Sequence, residues 1–266
     1  CALPICKATV AKMFVNNANG QRGLVCHYDV VCFDEVSGIS FDQKDGVNIM
    51  KGYMASGEFS RGKESIRAFG SIVMVGNLDI DIQQQQRVNH LLTPLPVEMR
   101  NDTAFMDRIH SYIPGWDFPK VNPHENLTDQ FGLVSDFLSE CWTKLRETSR
   151  ASSLQGRVNW GGALSGRDIE AATKTISGLL KLLFPDPSLT VPDEELEKIV
   201  KLALECRRRV KEQQKRVLKT EFRNTHFSYF LGIEGVEQFV STPELHSEDK
   251  IESDPLPPGQ VWAKQC

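Results

Sequence analysis

The feature that most constrains the fold is a short apolar run, Val-Val-Cys-Phe at residues 30–33, that ends directly in Asp34 and Glu35. Its length and its β-branched residues favour a buried strand over a helix. Two carboxylates at the carboxyl end of a parallel strand lie where α/β proteins bind their ligands. In nucleotide hydrolases the first acid holds Mg²⁺ and the second polarises the attacking water. The simpler alternative is a strand that ends in a polar turn.

The pattern along the rest of the chain predicts an α/β core followed by a helical lid. Residues 71–76 are typical of a second buried strand, which ends on Asn77, and residues 43–56 have the apolar spacing of a helix. Strands that alternate with helices and then give way to helices alone indicate this architecture. Further helices are predicted at residues 102–109, 127–150, 165–183 and 192–219, and further strands at residues 226–231 and 236–240.

Composition narrows the classes of function. The 266 residues carry 31 Lys and Arg against 35 Asp and Glu, a net charge of −4, so contact with nucleic acid would need a local basic patch. No apolar run approaches the ~20 residues of a membrane helix, and no signal peptide is visible, which predicts a cytoplasmic protein without membrane contact. The seven cysteines form no C-x-x-C pair, so zinc and dithiol signatures are absent from the sequence.

Three other side chains are candidates for a site with Asp34 and Glu35. Asn77 follows the second strand, Arg108 lies near the end of a short helix, and Arg167 falls in the first turn of a helix. A cation in that first turn opposes the helix dipole, which suggests a bound anion nearby. Each also has a simpler interpretation: a Gly-Asn turn, a surface charge, and a salt bridge between Arg167 and Asp168.

Two segments are rich in basic residues. Residues 57–69 predict an exposed hairpin or loop that carries Arg61, Lys63 and Arg67. Its spacing approaches that of a phosphate-binding loop, but Glu64 stands where a hydroxyl is required, so we reject that interpretation. Residues 201–223 contain nine Lys or Arg and three Glu in a predicted helix. Such a run is usually a solvated face, and the alternative is a phosphate-binding surface.

In chain order these motifs resemble a known family. Residues 33–35, 75–77, 107–108 and 165–168 resemble the Walker B, sensor 1, arginine-finger and sensor 2 motifs of AAA+ ATPases. The longer segments "DVVCFDEVSGISFDQKDGVNIMKGYMASGEFSRGKESIRA", "TAFMDRIHSYIPGW", "GGALSGRDIEAATKTISGLLKLLFP" and "RRRVKEQQKR" are similar to the Lon-like AAA+ proteins of BREX phage-defence systems. The resemblance covers about residues 7–262.

The resemblance implies a role for each matching residue, with ATP and Mg²⁺ as cofactors. Asp34 would bind Mg²⁺, Glu35 would activate water, and Asn77 would be the sensor 1 residue. Arg108 would act in trans on a neighbouring subunit, and Arg167 would contact the γ-phosphate from the lid. The implied partners are a homo-oligomeric, hexamer-type ring, DNA and other BREX proteins. The DNA contacts would come from a hairpin in the ring channel: Arg61, Lys63 and Arg67.

The implied fold is a partial AAA+ P-loop NTPase core at residues 1–150, a helical lid at residues 151–222, and the truncated start of a Lon-like α+β domain at residues 223–266. The family carries its phosphate loop before the part that matches this chain, so we expect a fragment that is inactive alone. Without the strand that precedes that loop, we also expect an exposed sheet edge and poor solubility. Two classes of function remain: an ATPase core segment, and a non-catalytic DNA-binding or assembly remnant.

Overall fold

The computed structural model describes residues 2–5, 9–16, 18–38, 44–60, 64–78, 81–82, 85, 89–222, 226–232 and 235–242. Strands and helices alternate in the first part of the chain, and helices predominate after it. No helix in these ranges is both long enough and apolar enough to cross a bilayer. This arrangement agrees with the α/β core that the sequence predicts.

Three parallel strands form the first sheet. They are β1 (Ala2–Ile5), β2 (Val30–Phe33) and β5 (Ser71–Met74), with β2 in the centre. The register pairs Val30 with Ser71 and Phe33 with Met74. Phe33 is fully buried, so the apolar run anchors the sheet in the core. The predicted strand at residues 30–33 is therefore confirmed, and the carboxyl ends of β2 and β5 lie side by side.

A helix and a hairpin connect β2 to β5. Short helix α1 (Val10–Met13) precedes β2, and α2 (Lys44–Ser56) follows it, as the apolar spacing predicts. The antiparallel strands β3 (Glu58–Ser60) and β4 (Ser65–Arg67) confirm the predicted hairpin. Aromatic rings tie these elements to the core, because the Phe59 ring lies 5.0 Å from Phe14 and 6.0 Å from Tyr53 between centroids.

The prediction of one long helix at residues 127–150 is wrong. The structure has α3 (Thr103–Met106), α4 (Pro123–Asn126) and α5 (Ser135–Arg146), and residues 127–134 are not helical. Hydrogen bonds from the backbone to nearby side chains compete with the helix there, because the backbone N–H of Gln130 donates to the Thr128 hydroxyl at 3.1 Å. Gly132 further lowers the helical preference of this stretch.

A second core forms around two long helices, α6 (Gly166–Leu183) and α7 (Asp193–Val217). The predicted start of α6 is confirmed by a full capping box between Ser165 and Asp168. An antiparallel sheet of β6 (Val158–Trp160), β7 (Phe227–Leu231) and β8 (Gln238–Val240) packs against these helices. After α7 comes one further turn of helix, α8 (Lys219–Phe222). The boundaries at residues 150 and 222 stay predictions.

The charged run on α7 is not a solvated face, which corrects the sequence interpretation. Leu196, Val200 and Leu204 in its first half belong to the second core, whereas Val210 packs into the first. Between the two cores the helix buries most of its polar side chains. Buried charges are tolerated only when they are paired, and here they are held in ion pairs. The buried basic residues are Arg207, Arg208, Arg209, Lys211 and Lys215.

Candidate active site

The carboxylate pair lies at the carboxyl edge of the parallel sheet. Backbone bonding continues past the ends of both strands, because the Val75 amide donates to the Phe33 carbonyl at 2.8 Å and the Val36 amide donates to the Val75 carbonyl at 2.8 Å. Asp34 and Glu35 lie between these two bonds, and both are exposed. The turn after β2 is thus held against the extension of β5, with two carboxylates open to solvent.

Glu35 has a left-handed backbone with φ of 58°. Among the residues that the structure describes, it is the one non-glycine residue with a positive φ. For an L-residue this conformation costs ~1 to 2 kcal/mol, and such strain collects at functional sites. The two flanking backbone bonds hold the conformation in place. Sequence patterns carried no signal for this feature.

Asn77 is brought to the same edge by a close approach of the backbone at Gly76. A Cβ on Gly76 would lie 2.9 Å from Val36 Cγ1 and 3.1 Å from Pro94 Cβ, so a larger residue would force these groups apart. This contact places the end of the β5 extension against the turn that carries Glu35. Asn77 follows immediately and is exposed. The structure therefore gathers Asp34, Glu35 and Asn77 at one sheet edge.

Arg167 is paired, but not with the residue that the simpler interpretation named. Its Nη1 lies 2.8 Å from Asp107 Oδ2. The Asp168 carboxylate instead accepts from the Ser165 hydroxyl at 2.6 Å and from Arg207 Nε at 2.8 Å. The predicted salt bridge between neighbours on the helix is therefore replaced by a pair that joins α6 to the end of α3.

That pair belongs to a largely buried ion cluster, which we call the Asp107 cluster: Asp107, Arg167, Asp168, Arg207 and Lys211. Asp107 Oδ1 lies 2.9 Å from Arg207 Nη2 and 3.0 Å from Lys211 Nζ. Arg207 also donates to the Ile109 carbonyl. Burial alone would raise the pKa of Asp107, but Lys211 together with Arg167 and Arg207 lowers it to about 2. Asp107 is thus a firmly ionised carboxylate between three cations.

Arg108 follows Asp107 directly and is half-buried. Its Nη1 donates to the Ala104 carbonyl on α3, so the side chain folds back along its own helix. Its Nε is buried and has no hydrogen-bond partner among the described residues. Asp107 therefore links the two candidate arginines, since it adjoins Arg108 in the chain and is ion-paired with Arg167.

The basic hairpin is described only in part. Arg61 and Lys63 lie outside the described residues. Arg67 is exposed on β4, and its guanidinium lies 5.5 Å from the ring centre of Phe69. Phe69 itself is 72% exposed. An exposed arginine on an exposed aromatic ring is a surface that can meet a nucleic-acid backbone or base.

Sequence reasoning missed Asp107, Arg207 and Lys211 as parts of the site. Arg207 and Lys211 are four residues apart, which places them on one face of α7, and this spacing is the signal that could have found them. Their partners, Asp107 and Asp168, are 39 to 104 residues away in the chain. A charge count along the sequence cannot supply such pairings.

Comparison with known proteins decides the family. Residues 5–228 match the family model described as "Lon-like protease BrxL-like, ATPase domain". The chain belongs to the BrxL family. The matched region contains the whole carboxylate edge and the Asp107 cluster, so both lie within a BrxL ATPase domain. Membership of an ATPase-domain family implies the use of a nucleotide, and the exposed carboxylates of Asp34 and Glu35 are the oxygen donors that Mg²⁺ prefers.

Two curated BrxL proteins are similar to this chain over 96% of its length. The "Lon-like protease BrxL" of Escherichia coli O9:H4 (strain HS) is 44% identical over 255 residues, and that of Bacillus cereus (strain H3081.97) is 41% identical over 256 residues. The chain spans 36% and 37% of the length of these two BrxL relatives. The similarity therefore covers only about a third of each relative.

Proposed function

We propose that this chain is the hydrolytic core segment of an ATP-dependent ring protein that acts on DNA or protein in BREX phage defence. The observation that carries the proposal is the pair Asp34 and Glu35, exposed at the end of the central strand, with Glu35 in a strained conformation. Strain that the fold maintains at an exposed acid is typical of a functional site. The match to an ATPase-domain family supports the hydrolytic part of this proposal.

Each residue at the sheet edge has a distinct chemical task in this proposal. Bound Mg²⁺ would neutralise charge on the phosphate oxygens. Asp34 would hold that ion, and Glu35 would accept a hydrogen bond from the attacking water and take up its proton. Asn77 would orient the same water through its amide. The backbone bonds of Val75 to Phe33 and to Val36 support this division, because they keep the two strand ends in register.

The two arginines would supply positive charge to the phosphates. Arg108 would act on the nucleotide of a neighbouring subunit, and Arg167 would reach the γ-phosphate from the helical lid. A ring is supported by the large apolar side chains that remain exposed around α5, since exposed apolar clusters mark surfaces that associate. They include Phe118, Leu127, Phe131, Phe137 and Trp142, all at least 50% exposed.

The second candidate function is a non-catalytic module that binds DNA through the β3–β4 hairpin. Exposed Arg67 and Phe69 are the observation that favours it. The two candidates are compatible in one protein, where hydrolysis would drive movement along DNA. We also propose that this chain alone is inactive, because no segment of its sequence has the pattern of a phosphate-binding loop.

Glu35→Gln in the full-length protein tests both candidates in one preparation. The amide keeps the shape of the side chain but cannot take up a proton, so we expect ATP hydrolysis to fall at least ~100-fold. DNA binding, measured on the same sample, should stay within twofold of the wild type. Glu194→Gln, at an exposed position on α7 outside the hairpin and the sheet edge, is the matched control and should leave both unchanged. Unchanged hydrolysis in Glu35→Gln would reject the ATPase proposal and leave the binding module.

A further inference from the structure

The Asp107 cluster holds one cation more than its buried carboxylates require. It contains three cations and two carboxylates, so one positive charge is in excess. Asp107 keeps two ion pairs without Arg167, one with Arg207 at 2.9 Å and one with Lys211 at 3.0 Å. Lys211 also lies 3.3 Å from Asp168. Loss of Arg167 would therefore leave no carboxylate of the cluster unpaired.

Arg167 differs from the other cations in its exposure. Its side chain is 58% exposed, whereas those of Arg207 and Lys211 are 0% and 4% exposed. The desolvation that makes a buried pair costly to break does not apply to Arg167, because water can replace Asp107 at its guanidinium. The cluster thus has a fixed inner part and one exchangeable outer cation.

We propose that Asp107 is a positioning residue that holds Arg167 while no nucleotide is bound and releases it to the phosphate of ATP. This inference rests on the proposed function, in which Arg167 contacts that phosphate. Release is reversible and moves no proton, since both side chains stay ionised. Arg207 and Lys211 keep Asp107 paired after release, so the end of α3 and the adjoining Arg108 remain in place when Arg167 moves.

The experiment measures the Kd of Mg-ATP in the full-length protein with Glu35→Gln, so that binding is seen without turnover. Asp107→Asn with Lys211→Met removes one carboxylate and one cation, which keeps the net charge of the cluster. Because Arg167 is then held less tightly, we expect Mg-ATP to bind about two- to fivefold more tightly. In a background with Arg167→Gln the same pair of changes should leave the Kd unaltered, which a purely structural effect would not do.

A second variant tests the proposal in the opposite direction. Lys211→Met alone removes a competitor for Asp107 and leaves two carboxylates with two arginines. Asp107 then holds Arg167 more strongly, so Mg-ATP should bind about two- to fivefold more weakly, again only when Arg167 is present. This variant deletes a buried cation without leaving a carboxylate unpaired, and it therefore preserves the test if the double variant does not fold.

Controls separate failure of this inference from failure of the proposed function. Lys198→Met with Glu194→Gln removes an exposed, charge-neutral pair on the same helix, and it should not change the Kd. If Arg167→Gln weakens Mg-ATP binding but neither Asp107→Asn with Lys211→Met nor Lys211→Met alone changes it, the holding role of Asp107 is wrong and the proposed function stands. If Arg167→Gln has no effect on binding, the proposed role of Arg167 fails and this inference fails with it.

Discussion

His110 adds a pH dependence to the region around the Asp107 cluster. Burial lowers the pKa of His110 to about 4, with smaller lowering by Lys174 and Arg207 and an opposing effect of Glu170. The unfolded chain takes up this proton near pH 6.5, but the folded chain does so only near pH 4. The contribution of the neutral His110 side chain to the free energy of unfolding is therefore complete above pH 6.5 and is lost as the pH falls towards 4.

We expect His110→Gln to lose less stability than the wild type between pH 7 and pH 5. The difference should be about 1 kcal/mol, after allowance for partial solvent exposure, or ~2 °C in the thermal midpoint. Burial also lowers the pKa of His90, so only part of the acid sensitivity should disappear. His124→Gln, at an exposed site on α4, is the control. Equal pH profiles for His110→Gln and the wild type would reject this account.

Single residues of the site were predictable to different degrees. Asp34 and Glu35 could be predicted because an apolar strand fixes where the next two residues emerge. The left-handed backbone of Glu35 could not, since it depends on the bonds of Val36 and Phe33 to Val75 on another strand. The pairing of Arg167 with Asp107 also escaped prediction, because 60 residues separate them in the chain.

At the scale of elements, helix α7 connects the two cores through buried charge. Hydrophobic spacing predicted its bounds well, but not the burial of its basic side chains, which depends on carboxylates delivered by α3 and α6. The helix predicted at residues 127–150 failed for a related reason. Its apolar side chains predicted a buried face. In the structure, Leu133 and Phe137 belong to neither hydrophobic core and remain more than half exposed.

Arg207→Met tests the role of α7. The change leaves Asp107 and Asp168 with fewer buried partners, so we expect a loss of ~3 to 5 kcal/mol in the free energy of unfolding. Lys198→Met on the same helix is the matched control, because its pairs with Glu194 and Glu195 are exposed and should contribute less than ~1 kcal/mol. Urea unfolding of both variants measures the difference. Similar losses would mean that the buried cluster does not stabilise the junction.

At the scale of the whole molecule, β5 is an edge strand of the parallel sheet in the part that the structure describes. There β5 pairs with β2 on one side, and Val73 and Val75 are 42% and 46% exposed. An exposed strand edge with apolar side chains favours pairing with another segment. Asp34 and Glu35 lie at the carboxyl ends of β2 and β5. A segment that pairs along β5 would therefore also come close to these two carboxylates.

Nucleotide-dependent melting tests how much of the binding site this chain contains. A ligand stabilises a fold by RT ln(1 + [L]/Kd), so Mg-ATP at 100 times its Kd should raise the midpoint of the nucleotide-binding domain by ~5 °C, for a domain the size of this chain. We expect such a shift in the full-length protein and less than ~1 °C in this chain, because Asp34, Asn77 and Arg167 cannot replace a backbone cradle for the phosphates. Adenosine, which lacks phosphates, is the control ligand. A shift of several degrees in this chain alone would show that its own residues suffice to bind ATP and would overturn the proposal that it is inactive by itself.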